Sequence, residues 1–233
     1  MEALADEADV AVVVDVLSFA TSVTVALEIG ATVLPYPWRD DSAVAFAQRH
    51  GAVLAVGRSQ TGTGRVSLSP AEMRAHAPSG GAVVLPSPNG STIAHRLASG
   101  TTTCVAACLR NAEAVADWLD GRFPHPARVA VVAAGERWPD DSLRPAVEDL
   151  WGAGAVLSAL AAGGRPGFSP EARAARATYR RSARTWRRHC TTAPAARSLT
   201  RSASVPTSTW PPRSGPARWY RCCATACSST RLP

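Results

Sequence analysis

The chain has 233 residues, 25 of them basic and 18 acidic, for a formal net charge of +7. That length allows one domain or two small lobes, and it buries a core without a disulfide framework. No run reaches the roughly 18 apolar residues of a membrane-crossing helix, and the acidic start Met1–Glu7 lacks a basic-then-apolar leader, so a cytoplasmic protein is expected, with no membrane partner.

Apolar runs alternate with helix-like stretches. Val10–Val14 is a continuous, mostly β-branched run, which predicts a strand covered on both faces. A helix follows over about 20–29, a strand at Thr32–Leu34, and a helix over about 40–50. A strand at Ala52–Val56 leads to a helix over 69–77, where Ser69 can cap, Pro70 suits the first position and Glu72 can complete a capping box. Then come a strand at Ala82–Leu85, a helix over 89–98, a strand at Thr101–Val105, a helix over 110–121, a strand at Arg128–Val132 and a helix over 146–161. This order predicts an α/β fold, a mainly parallel sheet with helices on both faces (three-layer α/β/α), with two similar lobes as an option. In such sheets ligands sit beyond the carboxyl ends of the strands.

Charge divides the chain. There is no lysine; residues 1–171 carry 12 arginines against all 18 acids, and residues 172–233 carry 13 arginines and no acid. Beyond Ala172, Val, Ile and Leu supply only Leu199, Val205 and Leu232. Such a segment buries too little apolar surface to offset the entropy of ordering it. The expected organisation is an α/β domain over 1–175 and an irregular or disordered Arg/Ser/Pro/Cys-rich tail over 176–233. A nucleic-acid-binding arm is one reading of that tail. A metal module is weaker, because His189, Cys190, Cys222, Cys223 and Cys227 lack paired Cys-x₂-Cys spacing. The preferred reading is translation out of frame. A one-base shift of GC-rich codons for Ala, Val, Asp, Gly and Leu yields mostly Arg, Pro, Ser, Thr, Cys and Trp.

Four places carry candidate chemistry. Asp15 ends the first strand and suits a hard cation such as Mg²⁺; a helix cap or turn residue is the alternative. Pro86–Thr92 follows the fourth strand and opens a helix. There Gly90 permits close backbone approach, and Asn89, Ser91 and the first-turn amides can hold phosphate, or the segment is a plain connection. Glu136 stands after the sixth strand as Asp15 does after the first, and Arg137 can grip an anion in bidentate fashion, against the alternative of solvated loop charges. Glu148 and Asp149 open the last helix behind Arg144, where they also complement the helix dipole. His95 lies four residues past Ser91 and could face the site. Cys104 and Cys108 read as reduced core residues, and His50, His76 and His125 as solvated. Three acidic sites and one anion site at strand ends or helix starts equip the chain for Mg²⁺-assisted phosphate chemistry.

The order of motifs resembles the 2-phosphosulfolactate phosphatase (ComB-like) family. The likeness rests on Val14-Asp15-Val16-Leu17 with Ala20-Thr21, Ser87-Pro88-Asn89-Gly90-Ser91, Leu109-Arg110-Asn111-Ala112, Ala134-Gly135-Glu136, and Glu148-Asp149 with Gly152-Ala153-Gly154, over roughly residues 8–175. The resemblance implies an α/β fold, Mg²⁺ as cofactor, and hydrolysis of (2R)-2-phospho-3-sulfolactate to 3-sulfolactate and phosphate. Asp15 and Glu136 would be catalytic; Asn89, Gly90, Ser91, Asn111, Arg137 and Arg144 would bind substrate; Asp15, Glu136, Glu148 and Asp149 would gather the metal. The nucleophile is either a carboxylate such as Asp15 or a metal-bound water. Ser18 stands where the family often has Arg, and Gly57-Arg58-Ser59 replaces Gly-Glu-Arg, which bears on the substrate. The family also continues past Ser169–Ala172 with an ordered helix and closing strands. A phosphatase of another small anionic phosphoester is the alternative enzyme. A nucleic-acid binder acting through the tail is the non-enzymatic rival and is not expected; a homo-oligomer is left open.

Overall fold

Four of the five residues in strand β1 (Val10–Val14) are valine, and none of the five exposes any surface. A strand with no polar face must be covered on both sides. The computed structural model describes residues 7–37, 40–57, 66–98 and 103–182, and in it β1 lies between β5 (Thr103–Ala107) and β6 (Val129–Ala133), parallel to both. Three further strands form a second parallel sheet in the order β2 (Thr32–Tyr36), β4 (Ala82–Pro86), β3 (Val53–Leu54). The parallel α/β architecture thus holds, but its strands divide into two three-stranded sheets joined through helices. The expected strand at Ala52–Val56 contracts to two residues; Val56 bridges Ser67 instead of continuing the ladder.

Seven helices stand among the described residues: α1 (Phe19–Glu28), α2 (Asp41–Arg49), α3 (Pro70–His76), α4 (Gly90–Ala98), α5 (Ala112–Arg122), α6 (Val147–Ala162) and α7 (Pro170–Ser182). None is long and apolar enough to cross a membrane. The α3 capping box does not form. Ser69 makes no side-chain cap bond, its N–H donates to Ser67 Oγ at 3.1 Å, and Glu72 instead lies 3.2 Å from His76 Nε2, one turn along. Helix α7 carries only a thin apolar stripe, Ala172, Ala175 and Tyr179, among its arginines. It is held because Gly154 of α6 lets the Ala175 and Tyr179 backbone turns approach: a Cβ at 154 would lie 2.6 Å from Tyr179 Cβ. The compositional boundary at residue 175 falls inside this helix. Residues from 183 onward, with the tail cysteines, and the Arg58-Ser59 pair lie outside the described residues.

Gly152 performs the same service against the first sheet. A Cβ there would lie 2.6 Å from Val14 Cγ1 and 2.8 Å from Val16 Cγ2, so α6 rests directly on the end of β1. Replacing Gly152 by Ala should therefore lift α6 and lower stability by about 1–3 kcal/mol, as overpacked cores do. Denaturant unfolding checks this; an unchanged midpoint would show that the α6–β1 seat is loose.

Candidate active site

Because β1, β5 and β6 run in parallel, their carboxyl ends open on one edge, and Asp15 leaves β1 there. Its side chain is 6% exposed. Oδ1 accepts the amide of Phe19, first residue of α1, at 3.0 Å, and Oδ2 accepts the amide of Gly90, first residue of α4, at 3.1 Å. The carboxylate thus occupies the positive ends of two helices. The expected alternative of a helix-capping role is thus met, at a place that also opens on the strand ends.

Glu136 begins a short antiparallel hairpin, β7 (Glu136–Arg137) with β8 (Leu143–Arg144). Sequence reading treated this stretch as a loop; the signal for a hairpin was the turn-forming run Pro139-Asp140-Asp141-Ser142. Asp140 Oδ1 accepts the Ser142 amide at 3.0 Å and its hydroxyl at 2.6 Å, and Trp138 N donates to Ser142 O at 2.9 Å. Those hydroxyl and amide bonds hold the Asp140 carboxyl below the usual carboxylate range. Gly135 enters the hairpin at φ 69°, with Leu143 and the Arg144 carbonyl where a Cβ would stand. The Glu136 carboxylate accepts Asn89 Nδ2 at 3.0 Å, which ties it to the residue just before Gly90.

Asp149, in the first turn of α6, is 3% exposed. Oδ1 accepts the Val16 amide at 2.7 Å and Oδ2 the Gly135 amide at 2.9 Å. Glu148 beside it is half-buried. The four acids from three stretches of chain are close enough to repel. Burial, reinforced by Glu136 and Glu148 and opposed by the Phe19 and Gly90 amides, raises Asp15 to about 6. Burial, then Asp15 and Glu148, against the Val16 and Gly135 amides, raises Asp149 to about 8.

Several expected anion contacts are engaged otherwise. The Gly90 amide serves Asp15, and a Cβ there would lie 2.6 Å from both Asp15 Oδ2 and Phe19 Cγ; the close approach that requires glycine is to the protein's own acid. The Ser91 hydroxyl, fully buried, donates to Leu85 O at 2.7 Å. Asn111 closes its own turn: Oδ1 accepts the Cys108 amide at 2.8 Å, and Nδ2 donates to Ala106 O at 3.1 Å and Thr24 Oγ1 at 3.2 Å. It is a scaffold residue here. Arg137 Nη1 donates to Asp141 O at 2.7 Å and lies 3.3 Å from Asp141 Oδ1. Arg144, the cross-strand partner of Glu136, places its guanidinium 5.5 Å from the Trp138 ring centre, with no ion pair to an acid among the described residues. Ser18 Oγ donates to Leu68 O at 2.6 Å. His95 is exposed, and Cys104 and Cys108 are buried and unbridged. Composition gave no sign of Phe19, Val16 or Trp138, which act through a main-chain amide or a ring face.

Hard oxygen donors gathered at one edge of the sheet suit Mg²⁺. Among the described residues no three acidic, His or Cys side chains group closely enough to enclose a metal by themselves. Mg²⁺ does not demand that: it commonly takes one or two carboxylates and completes its shell with water and substrate phosphate. Asp15, Glu136 and Glu148 fit that open arrangement. Asp149 resembles Asp15 in that each oxygen accepts one amide, which leaves each oxygen a second lone pair.

The raised acids set the pH dependence of the metal-free fold. An acid that holds its proton more tightly when folded stabilises the fold fully below its ordinary value of 3.8 and loses that contribution as pH rises through the folded value, about 6 for Asp15 and about 8 for Asp149. Without divalent cations, stability should fall from about pH 4 to about pH 8. Urea midpoints measured in chelator check the sign; a midpoint that climbs across that window contradicts the arrangement.

Comparison with known proteins agrees with this geometry. A search of curated proteins found no match. The family model for 2-phosphosulpholactate phosphatase matches residues 2–204, most of the chain and past the compositional boundary at 175. With the acids, the Ser87–Ser91 turn and the small-residue helix all inside that span, the chain belongs to the 2-phosphosulfolactate phosphatase family, and is a phosphoric monoester hydrolase.

Proposed function

We propose that the protein hydrolyses (2R)-2-phospho-3-sulfolactate to 3-sulfolactate and phosphate with Mg²⁺ as cofactor. The observation that carries this reading is the buried Asp15 carboxylate at the strand ends, close enough to Glu136 and Glu148 to be raised by them and bonded to the first amide of the helix that the Asn89-Gly90 turn opens. Mg²⁺, when bound, supplies charge neutralisation at the phosphoryl oxygens and lowers the pKa of water. The chain's own residues do the rest. Asp15, at about 6, is mostly ionised at neutral pH and can attack phosphorus or take a proton from water. Asn89 orients Glu136. Arg144, stacked on Trp138 and facing the same side of the hairpin as Glu136, offers its donors to an anionic group of the substrate, whereas Arg137 is spent on Asp141.

Asp15→Asn should reduce Mg²⁺-dependent phosphate release by at least about 100-fold, the scale of a lost acid–base group. Release at the wild-type rate would remove Asp15 from the scheme. Arg144→Ala should raise KM for phosphosulfolactate about tenfold, and Arg137→Ala by no more than about threefold, because Arg137 is already paired with Asp141 whereas Arg144 has no acid partner among the described residues.

One observation favours a second substrate reading, another small anionic phosphoester. Ser18 stands where the family often has Arg, and its hydroxyl is given to Leu68 O. A panel of phospho-acids separates the two: a sulfonate-selecting pocket turns over phosphosulfolactate well ahead of phospholactate, and equal turnover favours the second.

A further inference from the structure

We infer that Asp149 is a positioning residue that locks the Asp15 and Glu136 loops together; this rests on the hydrolase reading above. The connectivity makes the case. Val16, whose amide Asp149 accepts at 2.7 Å, is the residue after Asp15; Gly135, whose amide it accepts at 2.9 Å, is the residue before Glu136. One carboxylate on α6 therefore spans two loops that are 120 residues apart in sequence, and each bond ends one residue from a candidate catalytic acid. The bonds join the two oxygens of one carboxyl group to main-chain donors in a setting that is almost closed to water, where a hydrogen bond is stronger than in solution. Val16 and Gly135 each offer a single N–H, so neither loop can shift without releasing it.

Other contacts keep the carboxylate in place. The Gly152 seat on Val14 and Val16 sets α6 against the end of β1 one turn past Asp149. Ala134 N donates to Val14 O at 2.8 Å, so the two loops leave neighbouring strands side by side before Asp149 joins them. Glu148, next along the helix, has neither of these bonds and remains available toward Asp15. The two adjacent acids thus divide the work: Glu148 contributes charge to the site, and Asp149 sets its geometry.

Amide hydrogen exchange on the full-length, metal-free protein tests this directly. In Asp149→Ala, the segments containing Val16 and Gly135 should lose protection together, by about tenfold or more, while strands β4 and β5 keep theirs. Should that variant fail to fold, Asp149→Asn retains one acceptor and should release one of the two segments. In the phosphatase assay, Asp149→Asn should lower kcat by at least about tenfold with KM within about threefold. Combined with Glu136→Gln it should cost less than the product of the single effects, because Glu136 is already out of place. Unchanged exchange at both segments, or effects that multiply fully, overturns the inference. A wild-type protein that releases no phosphate from any phosphoester, yet shows the paired loss of protection, overturns the hydrolase reading and leaves the lock standing.

Discussion

The arrangement depends on a buried negative charge that accepts main-chain amides from several directions. Asp15 takes the first amide of α1 and the first amide of α4. Helix α1 leads from the first sheet toward the second, and α4 leads back, so this one carboxylate fastens both crossings at the edge where the parallel strands end. Burying a carboxylate is costly unless its oxygens are satisfied. Here the oxygens are satisfied, and among the described residues the charged groups that act on Asp15 are other acids, Glu136 and Glu148.

That imbalance gives the site its chemical character. Helix amino ends and amides pull the acids toward the ionised form, whereas burial and mutual repulsion push them away from it. Among the described residues, the two arginines of the hairpin are engaged elsewhere: Arg137 pairs with Asp141, and Arg144 lies on Trp138. Other ion pairs stand apart from the site. Glu28, at the far end of α1, holds Arg74 at 2.6 Å and Arg110 at 2.7 Å, and the mostly buried Arg165 spans Asp120 and two carbonyls behind α5. The fold neutralises charge where it needs only stability and leaves an excess where the strands end.

Close packing makes that excess possible. Gly90, Gly152 and Gly154 are each crowded where a side chain would begin, by Asp15 and Phe19, by Val14 and Val16, and by Ala175 and Tyr179 respectively. These approaches exclude water from the acids and bring α6 near enough for Asp149 to reach two loops at once. Small residues here serve electrostatics as much as packing, since a wetter crevice would screen the repulsion that raises Asp15 and Asp149.

Periodicity and β-branching placed β1, β2, β4, β6 and six of the seven helices within a few residues, because those elements bury one predictable face and end at strong turn signals. Strand β5 runs two residues past its expected end at Val105, since its bounds follow its pairing with β1 and not the apolar run. The β7–β8 hairpin and α7 escaped notice: one is too short for periodicity, and the other owes its place to a glycine on a different helix. Which acids stand at strand ends and helix starts follows from local order along the chain and is legible in the residues alone. Which groups those acids meet is a matter of the fold: that Asn89 reaches Glu136, that the Gly90 amide reaches Asp15, and that Asp149 reaches the Val16 and Gly135 amides depends on segments far apart in the chain arriving within about 3 Å, the range at which hydrogen bonds act.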